Sequence, residues 1–281
     1  MWAITIGLIP ALCWGVLPIW IRKFAGGTFR QQLIGTTVGI TIVAAGLTWG
    51  LHLHCQWSAA LLFFASGFCW SFGQGGQYYG YEKLGVSTTM PLSTAMQIVG
   101  NSIIGGLLFH EWSGLPDILL SLVMLLIILF GVALTNQRLH LQAGQARYYL
   151  ILAVSTIGYW GYSALPHYAQ VGSNLNGFLP QALGMLSAAL LIGATKTREV
   201  WRPATGKNVS SGIIFSAAAA TYLVSLSLNG MVNAFILSQL NVIVSTLIGG
   251  FVLNEFIHGQ ARRSVFGLVI LLTGATGLVM L

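Results

Sequence analysis

Amide side chains recur at helical spacing in a chain that is otherwise strongly apolar. Gln74 and Gln77 lie three residues apart in one apolar stretch, and Gln97 and Asn101 lie four apart in the next. These spacings place each pair on one face of a helix. An amide donates and accepts hydrogen bonds from a single planar group, which suits a ligand with many hydroxyl groups. The pattern predicts a site for a neutral, hydroxyl-rich molecule.

Aromatic and further polar residues extend this candidate site. A Trp or Tyr ring joins an apolar face to a polar group, so Tyr159 and three tryptophans could stack on the apolar face of a sugar. The predicted substrate-binding residues are Trp14, Trp70, Gln74, Gln77, Thr94, Gln97, Asn101, Trp160, Gln181, Gln239 and Asn241. Amides and hydroxyls also bond helices to each other in membranes, and this structural alternative is favoured for a lone hydroxyl such as that of Thr94.

The elements that position these residues are predicted to be transmembrane helices. Hydrophobic residues make up 56% of the chain, charged residues only 6%, and the mean hydropathy is +0.80. A soluble domain carries about 25% charged residues, and a spanning helix needs roughly 20 apolar ones. Ten such stretches occur, at about 2–21, 32–51, 58–77, 86–109, 117–135, 148–167, 176–195, 210–228, 231–254 and 264–281. The sequence predicts an all-α integral membrane protein with ten transmembrane helices.

The positions of the basic residues predict the orientation in the membrane. All 12 Lys and Arg fall in the odd-numbered connections between these stretches, or at their edges, and the even-numbered connections have none. This bias is the positive-inside signature, and it predicts cytoplasmic odd connections and two extracellular termini. The net charge of +7 therefore indicates topology, and no nucleic-acid partner is expected.

An internal repeat divides the chain. Residues 91–111, PLSTAMQIVGNSIIGGLLFHE, align without a gap with residues 235–255, FILSQLNVIVSTLIGGFVLNE, at an offset of 144. Gln97 then falls on Asn241. Because five helices per half is an odd number, the halves 1–140 and 141–281 are predicted to form two inverted five-helix repeats.

Several segments together resemble the glucose/ribose porters of the drug/metabolite transporter superfamily. They are residues 10–15 (PALCWG), 35–39 (GTTVG), 72–77 (FGQGGQ), 85–112 and 238–246 (SQLNVIVST), whereas residues 216–222 (SAAAATY) depart from the family pattern. The resemblance covers essentially the whole chain. It implies a ten-helix bacterial carrier in the cell membrane that takes up glucose or ribose.

Two acids inside the repeat leave alternatives open. Glu111 and Glu255 each end a predicted helix, where a carboxylate could satisfy free N–H groups at the start of the next helix. The alternative is proton coupling. The sequence holds no HExxH, GxSxG or GxxxxGK[ST] pattern, so neither an enzyme nor a cofactor or metal is predicted.

Three classes of function are open to a membrane protein of this composition. The leading one is uptake of a neutral monosaccharide by alternating access of the two halves. The second is export of drugs or small metabolites by a protein of the same superfamily, and a cation exporter would need an acid at the membrane centre. The third is a membrane enzyme, for which a cluster of ionisable residues would be needed.

Overall fold

The computed structural model describes residues 2–109, 112, 114–135, 144–169, 171, 173–256 and 260–280. Within these residues the regular structure is entirely helical. The helices of twelve residues or more are α1 (Trp2–Trp20), α2 (Phe29–Gly50), α3 (Trp57–Lys83), α4 (Val86–Leu108), α5 (Leu115–Thr135), α6 (Ala146–Ala164), α7 (Phe178–Ala194), α8 (Val209–Gln239), α9 (Asn241–Val252) and α10 (Gln260–Val279). Two short helices, Thr197–Val200 and Pro203–Lys207, lie between α7 and α8.

Some of these helices are long and apolar enough to cross a membrane. In the described part of the chain there are five, namely Trp2–Ala25, Phe29–Gly50, Leu115–Thr135, Asn174–Ala194 and Ala261–Leu278. Helices α3 and α4 are less apolar because they carry buried hydroxyl and amide residues, among them Ser71, Gln74, Ser93 and Thr94. The chain is therefore a multi-pass membrane protein, while the ten-span topology stays a prediction.

The first part of α8 runs antiparallel to α1. At one end Trp20 Nε1 donates to Ser210 Oγ at 3.0 Å. At the other end Asn229 Nδ2 donates to the carbonyl oxygen of Ala3 at 2.9 Å. As the chain advances along α8, it moves back along α1.

The second part of α8 runs in the opposite direction. A Cβ atom on Gly7 would collide with Leu237, and one on Gly15 would lie 3.0 Å from the carbonyl oxygen of Asn241. The same Gly7 position lies 3.0 Å from Ser225 Oγ, although residues twelve apart in a straight helix are about 18 Å apart. The helical run therefore turns back on itself between Asn229 and Leu237, near the predicted boundary of the eighth and ninth stretches.

A second interruption was not predicted. Residues 231–254 were expected to form one helix, but regular helix stops at Gln239 and resumes at Asn241. At this break Leu240 N donates to the carbonyl oxygen of Leu237 at 3.3 Å, and Asn241 Nδ2 donates to that of Ser238 at 2.7 Å. An amide side chain thus satisfies a backbone carbonyl near the break. The helix is interrupted here without a Pro or Gly, the residues from which a break would have been predicted.

Close helix contacts occur in matched pairs. A Cβ atom on Gly67 of α3 would collide with the carbonyl oxygen of Gln181 on α7. A Cβ atom on Gly212 of α8 would collide in the same way with the carbonyl oxygen of Thr36 on α2. Gly212 lies 145 residues after Gly67, and Gln181 lies 145 residues after Thr36. The α3–α7 and α2–α8 crossings therefore use corresponding residues, and glycine is required at each for close backbone approach.

The odd-numbered connections lie on one face. Asn208 Nδ2, before α8, donates to the carbonyl oxygen of Gly26, before α2. Tyr79, near the end of α3, packs against Phe29 of α2 and Tyr148 of α6. Contacts thus join the chain segments around the first, third, fifth and seventh connections. We call this side of the molecule the basic face, because most of the described Lys and Arg residues occur in or beside these connections.

Candidate functional site

Three predicted amides meet in one hydrogen-bonded group, the amide cluster, formed by Gln74, Gln77, Ser93, Gln97 and Tyr159. Gln77 is its centre: its Oε1 accepts from Gln74 Nε2 at 3.0 Å and its Nε2 donates to Ser93 Oγ at 2.9 Å. Gln97 Nε2 donates to the same Ser93 Oγ at 3.1 Å. The pattern of two facing amide pairs on α3 and α4 is therefore realised for three of the four residues.

Tyr159 brings the second half of the chain into the amide cluster. Its hydroxyl donates to Gln74 Oε1 at 2.9 Å and lies 3.0 Å from Gln77 Oε1. The ring reaches α3 because Gly73 has no side chain, and a Cβ atom there would lie 2.7 Å from Tyr159 Cδ2. Gln74, Gln77, Ser93 and Tyr159 are all buried, while Gln97 is half-buried.

An aromatic group continues from the amide cluster along α3. Trp70 lies one turn before Gln74, and its ring meets Phe215 edge-on with ring centroids 5.2 Å apart. Trp14 packs against Phe215 and Tyr222, at 5.8 Å in both cases. These four residues form the aromatic cluster, which joins α1, α3 and α8.

Phe215 and Tyr222 were missed in the sequence. Both lie at or beside the segment 216–222 that departs from the family pattern, and in a membrane helix such rings look like ordinary lipid-facing or core residues. The repeat carried a usable signal, because Phe215 lies 145 residues after Trp70 and Tyr222 lies 145 after Gln77. The second half thus places an aromatic ring where the first half has an amide.

Trp14 and Trp160 lie in similar tripeptides of the two halves, CWG at residues 13–15 and YWG at residues 159–161, at an offset of 146, but they have different surroundings. Trp160 Nε1 donates to the carbonyl oxygen of Met96 at 3.1 Å, and its ring fills the space left by Gly100. Trp14 Nε1 is buried and has no hydrogen-bond partner in the described structure. Counting 144 from Gly100 reaches Val244, whose side chain instead packs against Gly15. The N–H of Trp14 is therefore an unsatisfied donor within the aromatic cluster.

Two further predicted residues lie near α3 and α4 but bond elsewhere. Asn101 Nδ2 donates to Ser163 Oγ on α6 at 3.2 Å, one turn beyond Gln97. Gln181 Nε2 donates to Ser66 Oγ on α3 at 3.0 Å, one turn before Trp70. Thr94 is buried next to Ser93. These bonds tie helices together, as the structural alternative proposed.

The predicted residues of the ninth stretch lie at the helix break. Asn241 satisfies the carbonyl of Ser238, and Gln239 Nε2 donates to Ser238 Oγ at 3.4 Å. Neither residue joins the amide cluster through these bonds. Asn241 corresponds to Gln97 in the repeat, so two amides at matched positions have different hydrogen-bond partners.

Glu255 caps a helix, although not the helix that follows it. Its Oε1 accepts from the backbone N–H of Val86 at 2.8 Å, and its Oε2 from that of Ser87 at 2.7 Å. Both N–H groups belong to the first turn of α4, in the other half of the chain. Gly85 has a φ of +84°, and a Cβ atom there would lie 2.9 Å from the carboxylate. The sequence-matched Glu111 lies outside the described residues.

The chemistry available at the two clusters is hydrogen bonding and ring stacking. Their members are amides, hydroxyls and aromatic rings, none of which carries a charge at neutral pH. Among the described residues, no group of three His, Cys, Asp or Glu side chains could hold a metal ion. The arrangement suits the recognition of an uncharged polar molecule.

Comparison with known proteins identifies the group to which such a site belongs. The model of the sugar transport protein family matches residues 5–281. The chain belongs to the sugar transport protein family. A candidate sugar uptake protein of Lactobacillus johnsonii is 34% identical over 279 residues, covering 95% of this chain and 96% of that protein.

Several of the similar proteins carry a more specific name. A candidate ribose uptake protein, RbsU, of Latilactobacillus sakei is 36% identical over 263 residues, covering 90% of this chain and 89% of that protein. The protein of the same name from Staphylococcus epidermidis is 35% identical over 285 residues, covering 98% and 97%. The resemblance read from the sequence motifs is thereby confirmed at the level of the family, whose members are sugar transport proteins rather than enzymes.

Proposed function

We propose that this protein imports a neutral monosaccharide, ribose or glucose, by alternating access of two inverted five-helix halves. The halves comprise residues 1–140 and 141–281, and the sugar binds between the amide cluster and the aromatic cluster. The observation that carries the proposal is the buried amide cluster, which lies in the membrane part of the molecule without an acid or base. The naming of two relatives as candidate ribose uptake proteins supports a pentose as the first substrate to test.

The amide cluster has the chemistry that a sugar requires. Each Gln amide carries two N–H donors and an oxygen with two lone pairs, so Gln74, Gln77 and Gln97 have capacity beyond the bonds they make to one another. The unsatisfied N–H of Trp14 offers a further donor. A drug cation would instead require a buried acid, and none occurs in either cluster.

Matched contacts support the inverted repeat. The Gly67–Gln181 and Gly212–Thr36 contacts exchange when 145 is added to one member and subtracted from the other. Such exchange is what a pseudo-two-fold axis would produce, and in carriers of this kind the axis lies in the membrane plane with the substrate site beside it. Trp70 and Phe215, whose numbers differ by 145, meet edge-on, and this contact between matched positions supports an axis next to the aromatic cluster.

The Glu255–α4 contact holds the two halves together at one end of the molecule, as one closed state of an alternating-access carrier requires. It joins the two halves on the side of the third and ninth connections, which belongs to the basic face. For the sugar to leave toward the cytoplasm, the halves must separate here, so the two bonds to Val86 and Ser87 must break. We propose that the conformation described is closed on its basic face, that this face is cytoplasmic, and that both termini are outside the cell membrane.

Transport of labelled sugar into proteoliposomes tests the proposal. Ribose and glucose uptake are each measured with and without an uncoupler, and ethidium export is measured in the same preparation. Saturable sugar uptake that unlabelled sugar inhibits supports the proposal, and its loss with uncoupler would add proton coupling. Ethidium export without any sugar uptake would favour the exporter alternative and overturn the proposal.

A further inference from the structure

Three aromatic rings form a continuous row at the basic face. Phe29 is the first residue of α2, Tyr79 lies in the last turns of α3, and Tyr148 lies in the first turn of α6. The Phe29 and Tyr79 ring centroids are 5.4 Å apart, and those of Tyr79 and Tyr148 are 5.8 Å apart, both in edge-on contact. The row thus links both halves of the chain at the level of the helix ends.

Each ring in the row carries a cation. The Arg30 guanidinium lies 4.5 Å from the Phe29 centroid, Lys83 Nζ lies 5.6 Å from that of Tyr79, and the Arg147 guanidinium lies 4.7 Å from that of Tyr148. Stacking over an aromatic face holds a cation in place and lowers the entropy that binding would cost. We call these six residues the cation–aromatic strip.

The cations of the strip keep capacity for an anion. Arg30 Nε is buried and has no hydrogen-bond partner in the described structure. Arg147 uses Nη2 to donate to the Tyr148 hydroxyl at 2.7 Å, which leaves its other N–H groups. Lys83 is paired with Glu82 at 2.5 Å, so an added anion must share it. Arg30 and Arg147 therefore contribute most of the positive potential.

The location of the strip identifies the class of anion. It lies at helix ends, where the bilayer's head groups meet the protein, and the N-termini of α2 and α6 add positive helix dipoles. Basic pockets between membrane helices on the cytoplasmic side bind lipid phosphates. We propose that the cation–aromatic strip binds the phosphate of an anionic glycerophospholipid head group and thereby joins α2 and α3 of the first half to α6 of the second.

Lipid retention in nanodiscs tests this site with a matched control. The double variant Arg30→Gln/Arg147→Gln is compared with Arg198→Gln/Arg202→Gln, which removes equal charge from exposed positions between α7 and α8. Retention of phosphatidylglycerol and of phosphatidylcholine is measured by native mass spectrometry. Each cation lost from the strip should weaken phosphatidylglycerol binding roughly fivefold, since one basic residue near the membrane surface contributes about a factor of this size.

The possible outcomes separate the source of the phosphate from general charge effects. Selective loss of phosphatidylglycerol in the strip variant supports the proposal. Equal loss in both double variants shows that net charge alone attracts the lipid. Retention of inorganic phosphate in place of the lipid shows a site for free phosphate. Either result overturns the proposal. The variant Arg30→Lys/Arg147→Lys keeps the charge, so retained binding there excludes misfolding as the cause of a loss.

Discussion

Trp14 and Trp160 occupy matched places in the sequence repeat but present their N–H groups to different surroundings. Trp160 Nε1 donates to the carbonyl oxygen of Met96, whereas Trp14 Nε1 is buried without a partner in the described structure. The residue facing the ring explains the difference. Gly100 leaves room for Trp160 to lie against α4, while Val244 takes the corresponding space on α9. Trp14 instead packs against the other rings of the aromatic cluster, where its N–H is available to donate a hydrogen bond to a ligand.

We expect Trp14→Phe and Trp160→Phe to affect different properties. Trp14→Phe keeps the ring but removes the unused donor, so sugar affinity should fall roughly two- to tenfold, the range for one hydrogen bond, with stability unchanged. Trp160→Phe removes the side-chain hydrogen bond to the Met96 carbonyl and should cost about 1 kcal/mol of stability with little change in affinity. Ribose binding and thermal unfolding in detergent measure the two effects. A loss of affinity confined to Trp160→Phe would reverse the assigned roles.

Gln97→Leu should weaken sugar binding while the protein remains well folded. Gln97 is half-buried and makes one of its bonds to Ser93, so its removal disturbs the amide cluster least. We expect up to a roughly tenfold loss of affinity, which corresponds to about 1.4 kcal/mol. Calorimetric binding of ribose measures it, with Asn101→Leu as the control because Asn101 bonds to Ser163 instead. Wild-type affinity in Gln97→Leu would show that the proposed site is misplaced.

Gln77→Leu should mainly reduce stability. Gln77 bonds to Gln74, Ser93 and Tyr159, so its loss leaves the buried Gln74 Nε2 without its acceptor and removes one bond each from Ser93 and Tyr159. A buried donor without a partner costs about 1–3 kcal/mol, and the cost should exceed that of Gln97→Leu, which removes a single bond to Ser93. Thermal unfolding of the purified variants compares the two. Equal stability of both variants would contradict the central position of Gln77.

Gly67→Ala and Gly212→Ala should destabilise the protein by similar amounts. Each added methyl group meets a backbone carbonyl oxygen that cannot move aside, that of Gln181 or Thr36. Overpacking of this kind costs about 1–3 kcal/mol. Gly46→Ala is the matched control, because a Cβ atom there has no atom within 4 Å and alanine favours the helix. A stabilising effect of either crossing variant would contradict the close approach.

The sequence predicted the amides well because of a simple physical contrast. A Gln or Asn inside an apolar helix is costly unless it has a partner, so these residues stood out, and their spacing indicated that Gln74 shares a helix face with Gln77 and Gln97 with Asn101. The contribution of Phe215 could not be predicted in this way, because an aromatic residue costs nothing in either lipid or core. Glycines four residues apart, a spacing typical of close helix packing, occur twice in α2, at Gly35–Gly39 and at Gly46–Gly50. The first pair packs closely against neighbouring backbone while the second faces open space, because the spacing does not reveal which face meets a neighbour.

Long-range pairing was the least predictable feature. Glu255 was expected to cap the helix that follows it, because local sequence offers no other candidate. In the structure the first turn of α4 lies against the Glu255 carboxylate, and this contact depends on how the two halves pack. The break at Leu240 was likewise not predicted. An Asn side chain satisfies a backbone carbonyl there, and no Pro or Gly at the break indicates a turn.

A cysteine added at the C-terminus should react with a membrane-impermeant maleimide in intact cells. The motive is the twelve-to-zero distribution of basic residues, which predicts an external C-terminus. Cys55 is the native cysteine between α2 and α3, and burial raises the pKa of its thiol, so it forms less thiolate and reacts more slowly. The test uses a Cys55→Ser background. Labelling only after permeabilisation would place the C-terminus in the cytoplasm.

Glu255→Gln should open the basic face. The carboxylate accepts two backbone N–H groups, but a Gln side chain has one acceptor and would point its NH2 at the second donor. Loss of this contact should raise maleimide labelling of Met90→Cys, a buried position one turn into α4, several-fold from the cytoplasmic side. Glu82→Gln is the control, since Glu82 pairs with Lys83 in the same chain segment and does not link the halves. Labelling that rises equally in both variants, or in neither, would show that the Glu255 contact does not hold this end closed.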